Sequence, residues 1–289
     1  MTNWYDKNYK KILILPVALL IVCLVYLFFF YNSHGDIIYR DIGLSGGTTI
    51  TLQGDYDQGK LESSLNLQLD DVQVRSIGDL STGKQLALII SSSAQPDVLT
   101  EAIENDLNIK LTAENSNVEF SGPSLGGNFY RQLIISLIIS FFLMSLVIFL
   151  LFRTFVPSIA VIFAAFADII IPLALLDFLG MKISAAGIAA FLMLIGYSVD
   201  TDILLTTRVL KKREGTVNHR IYSSFKTGIF MTSTALLAVL PAFFIVTGLP
   251  DSFRQIFLIL ALGLSADIIN TWLTNASIIK WYTDAKKLK

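Results

Sequence analysis

The chain has 289 residues, of which 53% are hydrophobic and only 16% charged, with a formal net charge of −1. Soluble domains carry about 25% charged residues, so this composition excludes an ordinary soluble globule. The net charge carries no footprint of a nucleic-acid partner, and the single cysteine, Cys23, cannot form an internal disulfide.

Residues 1–11 form a short basic N-terminus containing Lys7, Lys10 and Lys11, expected in the cytoplasm. Residues 12–31 then run without a charge, long enough to cross about 30 Å of hydrocarbon. The run is longer than the apolar core of a secretory leader and has no small-residue cleavage signal after it. It reads as a retained first transmembrane helix.

Residues 36–128 change character: fourteen are Asp or Glu and five are Lys or Arg. Strands are expected at 48–54, 72–77, 84–91 (after a turn at Gly83), 109–113 and 117–120. Leu61, Leu65 and Leu69 mark a helix over 57–69; Leu99, Ile103 and Leu107 mark another that begins near Pro96. Taken with 109–113 and 117–120 as one closing strand region, the order is strand–helix–strand–strand–helix–strand. That is the ferredoxin-like α+β pattern, here an extracytoplasmic domain inserted between helices one and two. Gly46 and Gly47 precede its first strand; Gly122, Pro123, Gly126 and Gly127 precede the next span. They read as turns or as hinges between domain and membrane.

Residues 132–279 contain five further apolar segments, at about 132–152, 155–179, 183–207, 227–249 and 254–279. The fold class is therefore a polytopic α-helical membrane protein with six transmembrane helices. Arg208, Lys211, Lys212, Arg213, Arg220 and Lys226 lie between spans four and five, and the tail, 280–289, carries Lys280, Lys286, Lys287 and Lys289. Basic loops mark the cytoplasmic side, and an even number of spans puts both termini there. A basic amphipathic helix at 211–226, lying on anionic membrane lipid, is an alternative for that loop.

Acids inside apolar helices are costly and face a protein interior or an ion path. Four qualify: Asp168, Asp200, Asp202 and Asp267. Asp177, at the outer end of its span, is expected to be wetted. Asp200 and Asp202 point about 200° apart on one helix; Asp200 shares a face with Thr207, and Asp202 shares another with Thr206. Ser198 and Thr201 add hydroxyls, and Arg208 ends the span. Asp200 and Asp202 are the expected centre of a polar, ion-coupling network, with Asp168 and Asp267 secondary. Small residues from Ser184 to Ala190, and Gly196, allow close helix approach.

No nucleotide-binding loop, dinucleotide fingerprint or zinc-protease motif occurs. The chain offers no catalytic constellation, metal site or cofactor site. Two aspartates on separate helices leave an intramembrane protease as a minor alternative.

Asp41-Ile-Gly-Leu-Ser-Gly-Gly-Thr48, Gly122-Pro-Ser-Leu-Gly126 and Gly196-Tyr-Ser-Val-Asp-Thr-Asp-Ile-Leu-Leu-Thr-Thr-Arg208 together resemble the SecF family of protein-export membrane proteins. That family belongs to the resistance–nodulation–division fold superfamily. The bacterial pattern has Asn-Asp-Thr where this chain has Asp200-Thr201-Asp202, and an acid where it has Thr207, so the chain looks archaeal. The resemblance implies a subunit of the cytoplasmic membrane that pairs with a SecD-like protein and the SecY–SecE channel. It would assist export of a translocating polypeptide, with the proton gradient as a candidate energy source. A small-molecule or lipid exporter of the same fold, or a purely structural translocase subunit, are the alternatives.

Overall fold

The structure is a computed structural model that describes residues 2–79, 82, 84–212, 215–245 and 251–287. The chain begins with α1 (Thr2–Ile12) and α2 (Ile14–His34), which together supply the first of six helices long and apolar enough to span a membrane. A short helix, α3 (Ile42–Ser45), leads into β1 (Gly47–Gln53), α4 (Gln58–Leu65), β2 (Gln73–Gly78), β3 (Gln85–Ser92), α5 (Pro96–Leu107) and β4 (Ser116–Ser121). The other spans follow: α6 (Pro123–Phe152), α7 (Phe155–Phe178), α8 (Ala185–Lys211), α9 (Val217–Ile245), and α10 (Asp251–Ile269) continued by a π-helical segment, Asn270–Asn275, into α11 (Ala276–Ala285).

The domain between the first and second spans is the expected ferredoxin-like unit. Its sheet has the order β2-β3-β1-β4 with antiparallel pairing throughout. Asp57 caps α4 by accepting from the Lys60 N–H at 3.0 Å, and Pro96 opens α5. Leu61 and Leu65 of α4 and Leu99 and Ile103 of α5 are fully buried against Ile50, Leu52, Leu88 and Ile90 of the central strands.

Residues 109–113 are not a strand. The Leu111 N–H bonds to the Glu104 side chain at 2.7 Å, and Thr112–Ser116 close a turn. The expected turn at Gly83, the loop residues Arg213 and Glu214, the end of the fifth apolar segment at 246–249, and Lys289 lie outside the described residues. Among the described residues the 211–226 segment shows no separate surface helix: from Val217 onward it is the first part of α9.

The domain is tied to the bundle by backbone contacts. The Ile183 N–H bonds to Tyr39 O at 2.6 Å and the Asp41 N–H to Ile183 O at 3.0 Å, pairing the linker after α2 with the α7–α8 turn. Lys182 in that turn forms an ion pair with Asp71. Gln255 of α10 accepts from the Ser184 N–H and hydroxyl, at 2.9 and 2.6 Å, and donates to Lys182 O at 2.6 Å. Asp177 is only 2% exposed here, not wetted, because the linker covers the end of α7.

The glycine motifs meet each other. A Cβ on Gly46, whose φ is +89°, would stand 2.5 Å from Pro123 Cα, and one on Gly126 would stand 2.7 Å from Gly46 N. The two connections between domain and membrane thus form a packed seam. Gly126→Ala forces that seam apart and should cost about 1–3 kcal/mol of stability. Gly127→Ala, with open space around it, should be neutral or slightly stabilising. Denaturant unfolding of the two variants in detergent distinguishes them.

Candidate functional site

Three spans, α7, α8 and α10, form the buried centre of the bundle, whereas α2, α6 and α9 are largely uncovered. Close packing at this centre follows from small side chains: Ala160, Ala164, Ala165 and Ala167 on α7 and Gly187 and Ala190 on α8 are all buried. Each of the three central helices carries one aspartate inward. Asp168, Asp202 and Asp267 are all 0% exposed, and one carboxylate oxygen from each lies within 4.8 Å of the others.

Neutral donors surround these carboxylates. Asp168 accepts from the Ser198 hydroxyl and from Asn270 Nδ2, the latter at 2.6 Å. Asp202 Oδ1 accepts from Asn275 Nδ2 at 2.6 Å and lies 2.9 Å from Thr271 Oγ1, while its Oδ2 has no partner. Asp267 has Thr201 Oγ1 3.1 Å from both oxygens, Thr271 Oγ1 at 2.9 Å and Thr232 Oγ1 of α9 at 3.4 Å.

The π-helical segment makes this arrangement possible. On an α-helix, residues five apart point about 140° from each other. Here the Ala276 N–H bonds to Thr271 O, an i→i+5 step that narrows this angle. Asn270 can then reach Asp168 while Asn275 reaches Asp202.

The expected site residues divide into two groups. Asp168, Asp202 and Asp267 converge, with Asp168 and Asp267 as full members and not peripheral ones. Thr206 is buried on the same helix, but its Oγ1 has no partner. Asp200 stands apart. Two residues from Asp202 along α8, it faces outward on an exposed stripe with Met193, Gly196 and Tyr197. Thr207 is half-buried, and Arg208 donates to Ser223 O at 3.0 Å and Thr227 Oγ1 at 2.9 Å on α9, well along the helix from the cluster. Gly196 meets open space, as do Gly122 and Gly127.

Sequence reasoning missed Asn270, Thr271, Asn275 and Thr232. The signal was present as a run of polar side chains, Asn270, Thr271, Thr274 and Asn275, inside the last apolar segment.

The cluster could hold a proton or a hard cation, since carboxylate oxygens suit both. The amide hydrogens of Asn270 and Asn275 already point at these oxygens and would compete with a metal ion. Along α8 the cluster is enclosed between apolar layers. On the domain side lie Phe191, Leu194 and Ile195 with Ile259 and Leu260; on the other side lie Leu205 and Val209 with Trp272 and Ile279.

Thr271→Val removes the hydroxyl shared by Asp202 and Asp267 without changing side-chain size. It should cost about 1–3 kcal/mol of stability, the usual penalty for stranding buried polar groups. Thr206→Val, which breaks no hydrogen bond, should be close to neutral in the same unfolding assay.

Residues 102–285 match the family model for the protein export membrane protein SecD/SecF, C-terminal. The chain is 36% identical to a protein-export membrane protein SecF of Methanolacinia petrolearia, covering 96% of each. It is 35% identical to one of Pyrococcus furiosus, covering 96% of this chain and 92% of the relative. Its fold resembles the crystal structure of SecDF, a translocon-associated membrane protein from Thermus thermophilus, with a TM-score of 0.74 at 17% identity. That alignment covers 97% of this chain, which spans 38% of the longer one.

Proposed function

We propose, for a chain that belongs to the SecD/SecF family of protein-export membrane proteins, that it is an accessory subunit of the Sec translocase whose buried aspartate cluster couples an ion gradient to helix movement. The convergence of Asp168, Asp202 and Asp267 from three separate spans carries this reading. The chain acts by binding and movement, not by catalysis. It lies in the cytoplasmic membrane with both termini inside and residues 36–128 outside, in line with its basic loop and tail. Asp6 of α1 contacts Lys280 and Asn218, which brings the two ends of the chain to one end of the bundle; the Asp71–Lys182 pair with the domain is at the other.

Like charges about 5 Å apart repel by roughly 3–4 kcal/mol at an effective dielectric constant near 20. The number of protons or cations held by the cluster is therefore linked to the separation of α7, α8 and α10. Thr271 tightens the linkage. Its one hydroxyl hydrogen serves either Asp202 or Asp267, so the other contact is a hydrogen bond only when that carboxyl supplies the proton. Moving one charge through the membrane releases about 2.3 kcal/mol per 100 mV, comparable with one such repulsion. Motion of α8 reaches the outer domain through Ser184 at its N-terminus and the neighbouring Ile183 pairing.

Asp202→Asn and Asp168→Asn should abolish the gradient-dependent part of the release of an exported protein from membrane vesicles, with subunit levels unchanged. Full gradient dependence in both variants would leave the cluster a scaffold in a purely structural subunit.

A SecD-like subunit would cover the stripe that contains Asp200. An exposed carboxylate deep in a span is expensive against lipid and is relieved by a polar partner helix. With Cys23 replaced by Ala, Tyr197→Cys should crosslink to the SecD-like subunit in native membranes. Labelling of that cysteine by lipid-soluble reagents alone, with no crosslink, would remove the stripe from the interface.

A further inference from the structure

The end of the bundle opposite the domain holds a second polar feature, separate from the carboxylates. Arg208, Lys212, His219, Arg220 and Ser223 line a small cavity of about 50 Å³. On this measure a water needs about 10–15 Å³, so the space accommodates a group of phosphate size.

Arg220 is the unusual member. It is 6% exposed. Its Nη1 donates to Val209 O at 3.0 Å and to Lys212 O, satisfying carbonyls at the end of α8. That anchor holds the guanidinium in place, but Nε and Nη2 are buried without a partner. These two groups form the side-on fork that matches two oxygens of a phosphate or carboxylate.

The surroundings add positive charge. Arg208 is bound only by neutral acceptors, Ser223 and Thr227. Lys212 and His219 are exposed at the rim. Among the described residues no carboxylate pairs with Arg208, Lys212, His219 or Arg220. Asp6, an acid at this end of the bundle, is engaged by Asn218 and Lys280. Arg220 also lies in the first turn of α9, the positive end of the helix dipole, where a cation is disfavoured. The end of α8 offsets part of this charge through Nη1 alone. A buried guanidinium fork left without an acceptor is costly.

We propose that this cavity binds a phosphate-bearing anion, gripped by Nε and Nη2 of Arg220 and neutralised by Arg208 and Lys212, with His219 at the rim as a further hydrogen-bonding group. The phosphodiester of a membrane lipid and a soluble phosphate share the required chemistry.

The full chain, delipidated in neutral detergent, is titrated with inorganic phosphate, with phosphatidylglycerol, and with a diacylglycerol of the same chains that lacks phosphate. Binding is read by native mass spectrometry and by the rise in unfolding temperature. At least one phosphate-bearing ligand should bind, and the diacylglycerol should not. A Lys212→Gln/His219→Gln double variant, altered only at exposed side chains, should bind at least tenfold more weakly while unfolding at the wild-type temperature without ligand. Arg220→Lys, which keeps the charge but loses the fork, should also bind more weakly. Retention of phosphatidylglycerol without a response to inorganic phosphate assigns the site to a lipid headgroup. A response to inorganic phosphate assigns it to the soluble anion. Binding of neither ligand, equal binding of phosphatidylglycerol and diacylglycerol with no response to phosphate, or undiminished binding by the double variant overturns the proposal.

Discussion

Three carboxylates buried in apolar helices impose the main constraint on this molecule. A carboxylate away from water must be met by hydrogen-bond donors, and no single helix here can supply them all. Asp168 draws on Ser198 of α8 and Asn270 of the π segment; Asp202 draws on Thr271 and Asn275; Asp267 draws on Thr201 of α8 and Thr232 of α9. Satisfying each acid brings a different pair of elements together. The alanines of α7, the small residues of α8 and the irregular turn after α10 are conditions for that approach. The outer spans α2, α6 and α9, of which α9 contributes Thr232, present mostly apolar faces outward.

The same central helices carry the connection to the outer domain. Ser184 caps α8 and is held by Gln255 of α10, beside the Ile183 pairing with the linker and the Lys182–Asp71 ion pair. The second attachment, where Gly46 and Gly126 allow α3 to touch α6, is made of backbone against backbone. Close-packed contacts of this kind transmit displacement and do not absorb it. A rearrangement among the carboxylates thus has a short, stiff route to the domain.

Much of this architecture was legible in the sequence, for reasons that can be traced to particular residues. The six spans are long, strongly apolar runs, which hydrocarbon thickness makes legible. The ferredoxin-like order followed from Leu61 and Leu65, from Leu99 and Ile103, and from alternation in the strands. Residues 109–113 also alternate, but the Glu104 side chain and the Thr112–Ser116 turn hold them off the sheet, contacts that local alternation does not record. Asp200 and Asp202 looked equivalent because both are acids in one apolar helix; only the packing of α7 and α10 against one face separates them. The roles of Asn270 and Asn275 depend on an i→i+5 turn, which leaves no periodic signature. The glycine pairs read as turns or as hinges; that the two motifs, nearly eighty residues apart in sequence, fit against each other is a tertiary contact with no local signature.

The apolar layers on either side of the carboxylates have an electrical consequence. Phe191, Leu194 and Ile195 with their α10 neighbours form one layer, and Leu205, Val209, Trp272 and Ile279 form the other. Under the proposed coupling, the bundle would behave as two capacitors in series with a chargeable plate between them. An ion crossing it would do its electrical work in two separate steps, and opening either barrier alone would shift nearly the whole field onto the other.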